Sequence, residues 1–81
     1  MVEKAVIEKE RRVKPMDRLQ RVVYLEILDA NKPLNSLQIL RRLRAREHDV
    51  DLQMVEETIA SLQEEGYLEE VEIPSYYIVV R

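Results

Sequence analysis

The chain predicts a mainly α-helical domain of three helices closed by a small β-hairpin. Three observations predict it. Apolar residues recur at helical spacing in three separate stretches before residue 65. The only glycine, Gly66, stands directly behind the third stretch, where a helix-ending left-handed residue belongs. Two runs rich in β-forming residues then follow, separated by Pro74-Ser75.

Residues 1–14, MVEKAVIEKERRVK, alternate charges around Val2, Ala5, Val6 and Ile7. They read as an N-terminal arm, either a frayed helix or a segment that orders on a partner; the domain proper spans 15–81. Pro15 suits the first turn of a helix, where its missing N–H costs nothing. Helix 1 is predicted from Pro15 or Met16 to Ala30, with Leu19, Val22, Val23 and Ile27 as its core stripe. Asn31-Lys32-Pro33 stops it, since Asn tolerates the left-handed cap and proline cannot continue a helix. Tyr24, Leu25 and Leu28 form a second apolar patch on the side away from Val23 and Ile27. A surface helix needs only one stripe. The second patch therefore predicts cover, by the N-terminal arm (Val6, Ile7) or by another copy of the chain.

Helix 2 is predicted to start at Asn35 or Ser36, either a good N-cap, and to end near Arg46. Leu37, Leu40 and Leu43 are expected inside, with Gln38, Arg41 and Arg42 outside and Arg44 and Arg46 flanking the apolar side. Glu47-His48-Asp49-Val50 reads as a short connection. Asp51 caps helix 3, and Glu56 and Glu57 lie near its positive end. Leu52, Val55, Ile59 and Leu62, spaced three, four and three apart, form its expected inward row. Tyr67–Ile73 then reads as a strand, with Val71 and Ile73 alternating with Glu70 and Glu72, and Pro74-Ser75 as the turn. Tyr76–Arg81 is its expected hairpin partner. That strand is apolar on both faces and lies at a C-terminal edge, which invites pairing or cover.

A chain of 81 residues makes one domain. At this size folding buries only about 60% of the unfolded surface, so extra support is common. With no cysteine and the single histidine His48, disulfides and Cys or His metal sites are excluded. Oligomerisation, most simply a homodimer through helix 1 and the arm, is the remaining device. Charged residues make up 36% of the chain, above the usual quarter. That excess fits a heat-adapted protein and equally a helix-rich charged surface. No apolar run approaches a membrane span and no signal-like stretch opens the chain, so a cytoplasmic location is expected.

The net charge of −3 hides a split. Residues 1–46 hold twelve basic and six acidic groups, whereas residues 47–81 hold one basic and ten acidic. This asymmetry is the strongest functional signal in the chain.

Catalysis lacks its parts. His48 has acids beside it, but Ser36, Ser61 and Ser75 fall on other elements without a nucleophile motif. The pairs Glu56-Glu57, Glu64-Glu65 and Glu69-Glu70 are sequence neighbours. Adjacent helical residues point about 100° apart and do not converge on one substrate atom. One glycine cannot build a phosphate-cradling loop. Neither an enzymatic activity nor a cofactor is expected.

From Pro33 to Arg81 the text resembles a winged-helix domain. The resemblance rests on PLNSLQILRRL for the capped second helix, DLQMVEETIASLQEEGYLEE for the third, and VEIPSYYIVV for the wing. Glu64-Glu65-Gly66-Tyr67-Leu68 matches the close of the third helix in that superfamily. The resemblance implies a DNA-binding regulator whose third helix enters the major groove while the wing touches backbone. The outward face expected of helix 3, Gln53, Met54, Glu56, Glu57 and Ser61, opposes that mode because it carries no cation. DNA affinity rests largely on cations at phosphates. Arg11, Arg12, Lys14, Arg18, Arg21, Arg41 and Arg42 are the candidate contacts to double-stranded DNA instead. A protein-protein adaptor is the alternative: the two charge halves attract across partners, and Tyr24, Leu25 and Leu28 supply an apolar centre.

Overall fold

The computed structural model describes residues 16–71 and 75–80. The arm 1–14, Pro15, the Pro74 half of the turn and Arg81 lie outside the described residues. Helix α1 spans Arg18–Ala30, strand β1 Leu34–Asn35, helix α2 Ser36–Ala45 and helix α3 Leu52–Glu64. Strands β2 (Leu68–Glu70) and β3 (Tyr76–Val79) complete the order.

Helix α1 begins at Arg18, two residues after Met16 and three after Pro15, because Asp17 supplies a better cap. The Asp17 carboxylate accepts from Gln20 N at 2.8 Å, and Gln20 Oε1 accepts from Asp17 N at 3.0 Å. This reciprocal box satisfies two donors that the first turn leaves open. Asn35 and Gln38 repeat the arrangement at α2, at 2.8 and 3.0 Å. At α3 the Asp51 carboxylate accepts from Met54 N at 2.8 Å. At its far end α1 closes on Asn31, whose φ of 56° is left-handed as the sequence predicts.

Helices α2 and α3 end in the same hydrogen-bond motif, with different residues at its left-handed position. After α3, Gly66 N donates to Gln63 O and Tyr67 N to Leu62 O, with Gly66 at φ +88°. After α2, Glu47 N donates to Arg44 O and His48 N to Leu43 O, with Glu47 at φ +68°. A side chain in this region costs about 1–2 kcal/mol relative to glycine. A Cβ at Gly66 meets nothing within 4 Å, so the cost there is purely conformational. Gly66→Ala should therefore destabilise by about 1 kcal/mol and Glu47→Gly should stabilise by a similar amount. Opposite shifts of the urea midpoint would show this; shifts of the same sign would refute it.

The expected two-stranded hairpin is a three-stranded antiparallel sheet of order β1-β3-β2. Leu34 pairs with Tyr77 and Asn35 with Tyr76, while Leu68 pairs with Val79 and Glu70 with Tyr77. β3 is thus the central strand and not an edge, and the pairing that the sequence invites is supplied on both of its sides. The extra strand escaped the sequence reading because two residues are too few to show alternation. β2 starts at Leu68 and not at the expected Tyr67, since Tyr67 N is spent on the α3 cap, while Glu72 and Ile73 of the expected strand lie outside the described residues.

All six elements and the α2–α3 connection close on one core. Val23, Ile27, Leu34, Ile39, Leu40, Leu43, Val50, Val55, Ile59, Leu62, Leu68 and Val79 are buried. Four expected core residues are not among them: Leu19 and Val22 are only half-buried and pack against the core margin, and Leu37 and Leu52 are exposed. Leu37 is 45% exposed, because Ile39, Leu40 and Leu43 set the inward direction of α2 and Leu37 lies more than 90° from it. Leu52 is 39% exposed at the first residue of α3, and Thr58 fills the inward row instead, its hydroxyl donating to Met54 O. The second apolar side of α1 also changes. Tyr24 meets Tyr67 edge-on at 5.8 Å between ring centroids, and Leu28 packs on the core margin. Of that patch only Leu25 stands out, half exposed.

Candidate nucleic-acid interface

The basic residues of α1 and α2 have unequal duties. Arg42, expected on the outer face, donates from Nε to Glu26 Oε2 at 3.0 Å, and Arg46 donates from Nε to Glu26 Oε1 at 2.8 Å. Glu26 is only 5% exposed, so one carboxylate on α1 clamps the last turn of α2 from both oxygens. Arg46 also comes within 3.8 Å of Asp29. Arg44 Nε donates to Val50 O, tying α2 to the connection that precedes α3. Arg41 is exposed as expected and makes no ion pair among the described residues.

Arg41 and Arg42 meet a third cation that the sequence reading passed over. Lys32, in the link after α1, lines with them, Leu34 and Gln38 a concavity of about 200 Å³. Its signal in the sequence was weak, because Asn31-Lys32-Pro33 reads as a stop and only the return of the chain through β1 places Lys32 beside α2. Gln38, which also lines this concavity, accepts from Asn35 N through Oε1. Three cations line this hollow; Arg42 is already paired with Glu26, whereas Lys32 and Arg41 make no ion pair among the described residues. Arg18 and Arg21 are exposed at the other end of α1, where an Arg21 guanidinium nitrogen reaches Met16 O at 3.4 Å. Arg11, Arg12, Lys14, Val6 and Ile7 fall outside the described residues.

The α3 face is acidic. Gln53, Met54, Glu56 and Glu57 are exposed, and Gln53 donates to Glu57 at 3.1 Å. Ser61, expected on that face, is half-buried and turned toward α1, where it accepts from the buried Gln20 side chain at 2.6 Å. Between α3 and the sheet lies a groove of about 200 Å³ lined by Ser36, Glu56, Ala60, Gln63, Ser75 and Tyr77. Burial first, then the Glu70 and Glu56 carboxylates, push the Tyr77 phenol above its ordinary pKa. Glu56 lines this groove and Glu70 acts on Tyr77 from the sheet, so the local field is negative.

His48 lines a different hollow, of about 640 Å³, with Val22, Leu25, Leu28, Asp29 and Arg46. No serine lines it. Among the described residues no group of three or more His, Asp or Glu is placed to hold a metal ion. No described helix is long and apolar enough to cross a membrane. No family model, no curated protein and no solved structure matches this chain.

Proposed function

We propose that this chain is a winged-helix domain that associates with DNA as a transcriptional regulator, holding the duplex backbone through α2 and the link after α1 and not through α3. The order of elements supports the fold: a short strand before the second helix pairs with the last strand of a C-terminal hairpin. The concavity shared by Lys32, Arg41 and Arg42 carries the DNA reading. Contacts of this kind hold the duplex without reading base edges. Binding is accordingly weak, tolerant of sequence and strongly salt-dependent.

A labelled duplex of mixed sequence, followed by fluorescence anisotropy at several low salt concentrations, tests this. Lys32→Ala with Arg41→Ala removes two phosphate contacts, so affinity falls and the slope of log K against log salt drops by about 2. Arg42 is left intact because its loss would also strip Glu26 of a partner. Absence of duplex binding at the lowest salt ends the DNA reading.

One observation favours a second reading, a protein-protein adaptor. Met54 stands 39% exposed on an α3 face otherwise carrying Glu56 and Glu57, an apolar spot within an acidic surround that suits a basic protein partner. That reading requires Met54→Lys to abolish partner binding while leaving duplex affinity no lower.

A further inference from the structure

The outer row of α1 runs Arg18, Arg21, Leu25 and Asp29, all exposed. Arg21, Leu25 and Asp29 are four residues apart and so form one ridge along the helix. Reversed about Leu25, this ridge is its own complement: Arg21 falls on Asp29 and Asp29 on Arg21. A two-fold contact between identical subunits needs that self-complementarity. We propose that a second copy of this chain docks on α1. The helices run antiparallel and cross near about −50°, the angle at which i±4 ridges of two helices lie side by side. Leu25 sits at the two-fold axis, and each Arg21 pairs with the partner's Asp29.

Four features support this occupant. Among the described residues Leu25 is the most exposed of the large apolar side chains, at 50%. The hollow beside it offers the partner's Leu25 the apolar surface of Val22 and Leu28 within a polar surround of Glu26, Asp29, Arg46 and His48. Asp29 is 70% exposed and 3.8 Å from Arg46, so it retains room for a second cation. Of the other charges on this face, Arg46 beside Asp29 is offset by its bond to Glu26, and Asn31 turns the chain off the helix axis before Lys32 could meet the partner's Arg18. The interface uses Arg21 and leaves Lys32, Arg41 and Arg42 to their own concavity, so it stands or falls separately from DNA binding.

Sedimentation velocity over a range of protein concentrations tests the contact. The wild-type chain should show a reversible monomer–dimer equilibrium. Arg21→Asp and Asp29→Arg each place like charges together twice, and each should weaken dimerisation at least about tenfold. An equimolar mixture of the two variants should dimerise again, because the reversed charges then face opposites at both contacts. Leu25→Glu should yield a monomer with an unchanged helical circular dichroism spectrum. A wild-type chain that stays monomeric at every concentration overturns the proposal. So do single variants that dimerise like wild type, or a mixture no more associated than its components.

Discussion

Leu43→Ala should lower the unfolding free energy by about 2–5 kcal/mol, the usual cost of emptying a fully buried leucine site. Leu43 has no exposed surface and lies on α2, the element between α1 and α3. Its carbonyl also accepts from His48 N and so anchors the connection to α3. A domain of this length has roughly 4–12 kcal/mol of stability in total. The loss is therefore a large fraction of what holds the fold. Urea denaturation followed by circular dichroism measures it. The control is Leu37→Ala, on the same helix but 45% exposed, which should move stability by about 0.5 kcal/mol or less. Equal effects at the two positions would contradict the inward direction assigned to α2.

The second large effect concerns Glu26. Glu26→Ala removes an acceptor of two charge-assisted hydrogen bonds, each worth about 1.5–3 kcal/mol in favourable cases. The net loss should be smaller, about 1–3 kcal/mol, because the carboxylate no longer has to be stripped of water. Arg42 and Arg46 are also 35% and 57% exposed, so water can take over their donors. Glu26→Met should be close to neutral, since an apolar side chain of similar volume fills the space without that desolvation. Thermal melts of both variants separate the two accounts: a methionine variant as unstable as the alanine one would mean that the clamp itself, and not the filled volume, holds α2 to α1. Either variant also frees Arg42 and Arg46. Both should therefore bind duplex more tightly than wild type at low salt if the DNA reading holds, because Arg42 is released within the Lys32–Arg41 concavity.

The sequence placed the three helices to within three residues at each end. The information lay in local chemistry: an Asn or Asp cap, an i, i+3, i+4 apolar row, and a lone glycine at the close of α3. Each acts over one or two turns, so each is visible in a short window of text. The charge division between residues 1–46 and 47–81 was equally plain, and the exposed Glu56 and Glu57 on α3 and Arg41 on α2 match it. Glu47 was not legible. Nothing in Arg46-Glu47-His48 signals a positive φ, because the conformation is imposed by the carbonyls of Leu43 and Arg44 that its neighbours must satisfy.

Contacts between distant residues decided the rest. β1 exists because Leu34 and Asn35 find Tyr77 and Tyr76 more than forty residues away, and no window around Leu34 contains that partner. Ser61 turns inward for Gln20, Tyr24 is covered by Tyr67, and Arg42 is drawn to Glu26. In each case a residue with an apolar or polar side free in its own helix is claimed by another element. Helix phase sets which way a side chain points; only the packed structure determines what it meets. Sequence by itself therefore determined the elements and the sign of charge each one carries. Tertiary structure alone decided which of those charges are already neutralised and which remain to face a partner, because ion pairing depends on distance in space and not along the chain.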